Sequence, residues 1–210
     1  MELYEAIHTR RDIRRFKPDL IPKDVITRIL DAAHHAGSVG LMQPWNFILI
    51  EDVSTRYKVK HIFEEQNAVA AQNYIGNKQN LYRSLKLEGI LESPLNLCVT
   101  CDRTRKGPHV LGRNSMIDTD IYSTCCAIQN LWLAARAEKI GVGWVSIIEP
   151  QTLQDILNIP SHVLPIAYLC IGYPVEFGDK PMLQEVGWEN RIPLQDLIYF
   201  NSWGNPWDEK

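Results

Sequence analysis

No apolar run in this 210-residue sequence reaches the roughly 18 residues that a membrane-crossing helix requires. Nor is there a surplus of positive charge. Lys and Arg number 22 against 25 Asp and Glu, a formal net charge of −3. Broad nucleic-acid or membrane-surface binding wants an excess of basic residues, so both are excluded as general functions. Cysteine is sparse and odd in number: Cys98, Cys101, Cys125, Cys126 and Cys170. The one CxxC, "CVTC", lies in a strand-like run that would point its thiols to opposite sides, and no second CxxC completes a zinc site. Buried, inert thiols and no bound metal are therefore predicted. A Walker loop and an HExxH are both missing. "GVGWVS" follows a helical stretch and opens a strand, the reverse of a dinucleotide-binding glycine turn. Met1 leads directly into "ELYEAI" with no basic leader or apolar leader core, which predicts a cytoplasmic protein.

Hydrophobic residues make up 45% and charged residues 22%, the balance of a globular domain. "LYEAIHTRR" predicts a short opening helix. "PKDVITRILDAAHHA" starts on Pro22 and spaces Val25, Ile26, Ile29, Leu30 and Ala33 helically. "NFILIE", "LNLCVTC", "GVGWVSII" and "VLPIAYLCIGYP" read as strands. From Ser54 to about Leu91 the pattern is helical in patches. A helix from about Asp120 to Glu138, stopping at Gly141, is apolar around most of its circumference, through Ile121, Cys125, Ile128, Leu131, Trp132 and Ala135. Such a helix is central, or buries a second face in another subunit. With no repeat and no linker, the whole chain, 1–210, is read as a single α+β domain. Residues 66–94, rich in Gln, Asn and Ala, are a candidate lid, and 175–210 an extended tail.

The charge is concentrated in "TRRDIRRF", Thr9 to Phe16, where four arginines surround Asp12. On a helix, Arg10 and Arg14 share one face and Arg11 and Arg15 another, an ordinary solvated surface. In an extended segment, Arg10, Asp12 and Arg14 share a face, two guanidiniums flanking a carboxylate. Guanidinium forks suit phosphate. The tandem His34-His35 at a helix end needs only partial exposure to explain it. Trp45, Trp132 and Trp144 are predicted to be core or interface aromatics.

"RRDIRRF", "SVGLMQPWNF" at 38–47, "GVGWVSI" at 141–147 and "GWENR" stand in an order that resembles the flavin-binding nitroreductase family across nearly the whole chain. That family usually reads R-R-S-x-R in the first block and P-S-S-x-N-x-Q-P-W in the second. Here Asp12 replaces the serine, Leu41 the asparagine, and Ser146 stands where glycine is common. With these departures the chain resembles the branch of BluB-type 5,6-dimethylbenzimidazole synthases.

The resemblance implies a nitroreductase-like fold: a central mixed or antiparallel sheet flanked by helices, in an intertwined homodimer with FMN at the subunit interface. It implies an oxidoreductase that uses O2 to fragment reduced FMN into 5,6-dimethylbenzimidazole and erythrose 4-phosphate, for the lower ligand of cobalamin. Arg10, Arg11 and Arg14 would contact FMN, with Ser38, Gly40 and Gln43 from the second block, and Arg191 would reach the phosphate. Asp12 would be the base and Ser146 a proton donor near the flavin. Reduced FMN would come from a separate NAD(P)H flavin reductase. The alternatives are an NAD(P)H-dependent nitroreductase or flavin reductase on the same fold, and a flavin-binding protein without turnover.

Overall fold

The computed structural model describes residues 1–207, so residues 208–210 of the predicted tail lie outside it. Four strands form one sheet: β1 (Trp45–Ile50), β2 (Leu95–Asp102), β3 (Gly141–Val145) and β4 (Val163–Gly172). Their order is β1-β2-β4-β3, with every neighbouring pair antiparallel. Strand β2, in the middle, is buried almost throughout, which is why its run "LNLCVTC" is nearly all apolar or small.

Period-two alternation along the strands builds two cores. On one face Leu97, Val99, Leu169 and Trp45 pack against Ile29 and Ala33 of α2 (Lys23–His34) and Ile128, Leu131 and Ala135 of α5 (Thr119–Ala137). On the other, Ile50, Cys98, Val145 and Cys170 meet Val59 and Phe63 of α3 (Val53–Ala70) and Leu153 of α6 (Pro150–Leu157). Burial pushes the thiols of Cys98 and Cys170 up to about 12. Cys101 is buried as well, whereas Cys125 and Cys126 are exposed, contrary to the uniform burial predicted for the five. They lie on α5 with Tyr122 and Gln129, an i, i+3, i+4, i+7 stripe open to solvent along the helix's outer face.

The helix ends follow local chemistry. Asp52 caps α3, accepting from the Thr55 N–H and hydroxyl at 2.7 Å each and from the Ser54 hydroxyl at 3.0 Å. Glu149 caps α6 in the same way, accepting from Thr152 N at 2.6 Å, and Pro150 occupies the first turn. Helix α5 was expected to stop at Gly141. The reversal is made two residues earlier by Lys139, at φ 62°, and Gly141 opens β3. Glycine is required there for a different reason: a Cβ would lie 2.9 Å from Ile13 Cγ1.

Residues 53–91 contain a break. After α3 a short 3-10 turn at Ala71–Asn73 precedes α4 (Gly76–Ser84), and Leu85–Leu91 is not helical. The Tyr82 hydroxyl donates to Asn67 Oδ1 at 2.7 Å and the Tyr74 ring stacks on Tyr82, tying α4 to the end of α3. Residues 178–210 form a compact unit separate from 1–177. Its described part holds α7 (Met182–Glu185), a 3-10 turn at Leu194–Leu197 and a bridge between Tyr199 and Pro206. No helix among the described residues is long and apolar enough to cross a membrane.

The opening helix α1 (Leu3–Thr9) stops short of the arginines, and Arg10 is already extended at φ −61°, ψ 134°. The chain then runs beside β3, where Ile13 N donates to Val142 O at 3.0 Å and Asp12 bridges Val142 in parallel. Gly143 admits this close approach, since a Cβ there would meet Ile13 O at 2.0 Å. Gly143→Ala should therefore destabilise the fold by roughly 2–3 kcal/mol, as overpacking against backbone does. Gly37→Ala, with nothing within 4 Å, should be near neutral. Urea unfolding of the two variants measures the difference.

The Asp52 cap sets a pH window. Hydrogen bonds from the Thr55 hydroxyl, then the Thr55 N–H and the Ser54 hydroxyl, hold its carboxyl down to about 2, from an ordinary 3.8. A carboxyl depressed by folding contributes stability above its unfolded value and loses it as pH falls through the folded one. Asp52→Asn keeps a capping oxygen but cannot titrate. The wild-type advantage over Asp52→Asn in unfolding free energy should be constant above pH 5 and shrink between about pH 4 and 2.

Candidate active site

The extended reading of the arginine segment is the observed one, and it places Asp12 against the edge of the sheet. Its Oδ1 accepts from Trp144 N at 2.8 Å, and both carboxylate oxygens are bonded by the Nη atoms of Arg14. Arg14 also reaches back to β3, donating from Nη2 to Trp144 O at 3.4 Å. Its Nε is buried without an acceptor among the described residues. The Asp12 side chain remains 41% exposed, so its carboxylate is fixed in position yet open to a ligand. Ser146, two residues beyond Trp144, is exposed and lines a 210 Å³ cleft with Trp144, Ile148, Pro165 and Ala167.

Arg10 lies with its guanidinium 4.6 Å from the ring centroid of Trp132 on α5, and that ring is 6.3 Å from Trp144. Arg11 turns the other way. Its Nη1 donates to the carbonyls of His8 and Arg10 at 2.8 Å each, closing the end of α1. Arg10, Asp12 and Arg14 thus gather along β3, next to the C-terminal half of α5, while Ser146 follows just past the end of β3.

Ser38, Gly40 and Gln43 form a second group. They share one loop, folded back on itself by a bond from Gln43 N to Ser38 Oγ at 2.7 Å. Three of its residues are left-handed: Gly40 at φ 51°, Leu41 at 49° and Gln43 at 50°. For Leu41 and Gln43 this conformation costs on the order of 1–2 kcal/mol each. Gly40 is needed on two counts, its φ and the 2.6 Å that would separate a Cβ from Leu111 O. The loop is anchored to α5 through Val39 N, which donates to Ser123 Oγ at 3.0 Å. At its exit Arg105 donates to Gln43 O at 2.6 Å and Trp45 O at 2.9 Å, and also bonds Asn46 Oδ1.

Along α5 the two groups are far apart. Ser123 holds the loop near the start of the helix, while Trp132 holds Arg10 nine residues on, roughly 13 Å along the axis. Arg191 is exposed and belongs to the 178–210 unit. Sequence reasoning missed Ser123, Arg105 and Gly143 as positioning elements. Only Gly143 carried a signal, the second glycine of "GVG" in an otherwise apolar strand.

Two features suit a phosphate-bearing ligand. Arg10 and Arg14 supply cations, and the loop around Gly40 leaves backbone exposed at the surface. Among the described residues no three His, Cys, Asp or Glu side chains converge as metal ligands.

Residues 7–173 match the nitroreductase family model. The chain is 43% identical over 184 residues to a 5,6-dimethylbenzimidazole synthase of Rhodospirillum rubrum, covering 88% of this chain and 87% of that protein. Its fold is similar to that of iodotyrosine deiodinase solved with FMN and 3-iodo-L-tyrosine, at TM-score 0.75 and 20% identity, covering 96% of this chain and all of that one (100%). It is also similar to a BluB-like flavoprotein from Clostridium difficile 630, at TM-score 0.72 and 18% identity, covering 96% and 100%. With the antiparallel sheet between two helical layers and a match over most of its length, the chain belongs to the nitroreductase family.

Proposed function

We propose that this chain is a 5,6-dimethylbenzimidazole synthase, which uses O2 to fragment reduced FMN into 5,6-dimethylbenzimidazole and erythrose 4-phosphate. The observation that carries the reading is Asp12. It is a carboxylate held against the strand amide of Trp144, at a position where the usual family pattern has serine, in a chain 43% identical to a protein of that name. Reduced FMN, the substrate in this reading, supplies both the electrons for O2 and the carbon framework of the product. Arg10, Arg14 and Arg191 bind its phosphate and ribityl chain, with a lesser role for Arg11, and Ser38, Gly40 and Gln43 position it. Asp12 Oδ2 takes a proton from the ribityl side, and the Ser146 hydroxyl donates one near the ring. Residues 66–94 cover the site and keep water out. A site so covered leaves no room for nicotinamide, so a separate NAD(P)H flavin reductase supplies reduced FMN. Five free cysteines fit a reducing compartment, the cytoplasm.

The working unit in this reading is a homodimer. The exposed stripe Tyr122, Cys125, Cys126 and Gln129 runs along the first part of α5, from beside Ser123 to within a turn of Trp132. A copy of α5 packed antiparallel on it would place the Ser38–Gln43 loop of one protomer beside the Arg10–Arg14 segment of its partner. Sedimentation should give a dimer at micromolar concentration. A stable monomer that still binds FMN would contradict the shared site.

Asp12→Asn tests the chemistry. The variant keeps the shape, and the arginines remain for phosphate, so FMN binding should survive. Benzimidazole formation from reduced FMN in air should fall by about 10²–10⁴-fold, the range for loss of a general base. Flavin should return as oxidised FMN, and Asp12→Ser should behave alike. Mass spectrometry of the products reads the outcome. Wild-type rates in Asp12→Asn would reduce the carboxylate to a charge spacer. Steady NAD(P)H oxidation with flavin conserved in the wild type would instead mark a flavin reductase.

A further inference from the structure

We propose that Arg105 is a positioning residue that holds the Gly40–Gln43 loop in its left-handed conformation and so shapes that half of the site. Leu41 and Gln43 both sit at positive φ without glycine's freedom, so local preference works against the loop. Bonds within the loop oppose it in part, and a further restraint comes from outside. The guanidinium of Arg105 gathers three acceptors at the loop's exit: the carbonyls of Gln43, at 2.6 Å, and Trp45, at 2.9 Å, and the Asn46 side chain. Nη1 is shared between the Gln43 and Trp45 carbonyls while Nη2 holds Asn46, so three acceptors fix the guanidinium plane and tether the Gln43 carbonyl to the start of β1.

Arg105 is itself prepared for this. It follows the end of β2 in a turn set by Asp102, whose Oδ1 accepts from Thr104 N at 2.9 Å and from the Thr104 hydroxyl at 2.7 Å. Asp102 N donates to Pro44 O at 2.7 Å, so the turn carrying the guanidinium is hydrogen-bonded to the exit of the loop it holds. Further along the same connection, Val110 and Leu111 close on Gly40. The loop is thus restrained from its exit by Arg105 and from above by Leu111. Gln43 N to Ser38 Oγ closes the loop on itself, and Val39 N to Ser123 Oγ ties it to α5.

The test compares wild type, Arg105→Met, Leu41→Asn and the double variant. Asparagine enters the left-handed region more readily than leucine, so Leu41→Asn should relieve what Arg105 opposes. Amide hydrogen exchange at Val39, Met42 and Gln43 reads the loop, and titration with oxidised FMN reads the site. Arg105→Met should speed exchange at these amides and weaken FMN binding, each on the order of tenfold, with the thermal midpoint lowered by no more than about 5 °C. The double variant should recover to within about threefold of Leu41→Asn alone. Arg105→Lys, which keeps one charged donor and serves if Arg105→Met does not fold, should show the same pattern at smaller amplitude.

Unchanged exchange in Arg105→Met, or a double variant as loose as the single one, overturns the proposal. The affinity readout alone rests on the FMN reading of this loop. Exchange that rises and recovers as expected while FMN affinity stays constant upholds the clamp and removes FMN from the loop.

Discussion

The grip of the Asp12 carboxylate on β3 is the contact around which the N-terminal half of the site is organised. A strand edge offers an unpaired N–H at Trp144, and the carboxylate accepts it at 2.8 Å while pairing with Arg14. This is possible only because Gly143 lets the Ile13 carbonyl come where any side chain would stand. The contact stops the arginine segment from continuing α1 and lays it along the sheet. It also leaves the carboxylate partly exposed. In the proposed reaction, structure and chemistry would share one hydrogen bond. A group fixed so firmly needs little reorganisation when a proton moves to it, which is how a preorganised site lowers a barrier.

Helix α5 turns this local arrangement into a longer-range one. Its inner face is core, its first turns hold the strained loop through Ser123, and its later turns seat Arg10 on Trp132. A rigid helix keeps the two groups apart within one protomer. The same rigidity would set their spacing across an antiparallel pair, because the exposed stripe on this helix is centred near Cys125 and Cys126. The strain at Leu41 and Gln43 belongs in the same picture: backbone held away from its preferred conformation is characteristic of positions that meet a ligand.

Much of this was legible because hydrophobic periodicity reports burial directly. The strands, α2 and α5 follow their patterns closely. The arginine segment was ambiguous because residues four apart share a helix face while residues two apart share a strand face. Only the sheet edge at β3 decides between them. Gly141 was read as a helix stop because glycine commonly plays that part. The pressure on it comes from Ile13, more than a hundred residues away in sequence, which no local pattern records. Cys125 and Cys126 look apolar in the sequence but fall on the outer stripe of α5. Arg105 was invisible for a similar reason: "RTRKG" reads as a solvated basic loop, and its partners at Gln43, Trp45 and Asn46 come from another part of the chain.

The account rests most heavily on a catalytic unit assembled from the Asp12 edge of one protomer and the Ser38–Gln43 loop of its partner. Complementation between two inactive chains tests this directly. Asp12→Asn removes the carboxylate, and Gly40→Val disrupts the loop through its clash with Leu111 O. Each variant alone should form little benzimidazole from reduced FMN in air. Unfolding and refolding them together in equal amounts makes half the dimers mixed, each with one intact pair of halves. The mixture should then recover about a quarter of the wild-type rate. A mixture as inactive as its parents, with mixed dimers demonstrated by mass, would show that both halves come from the same chain and would contradict the account.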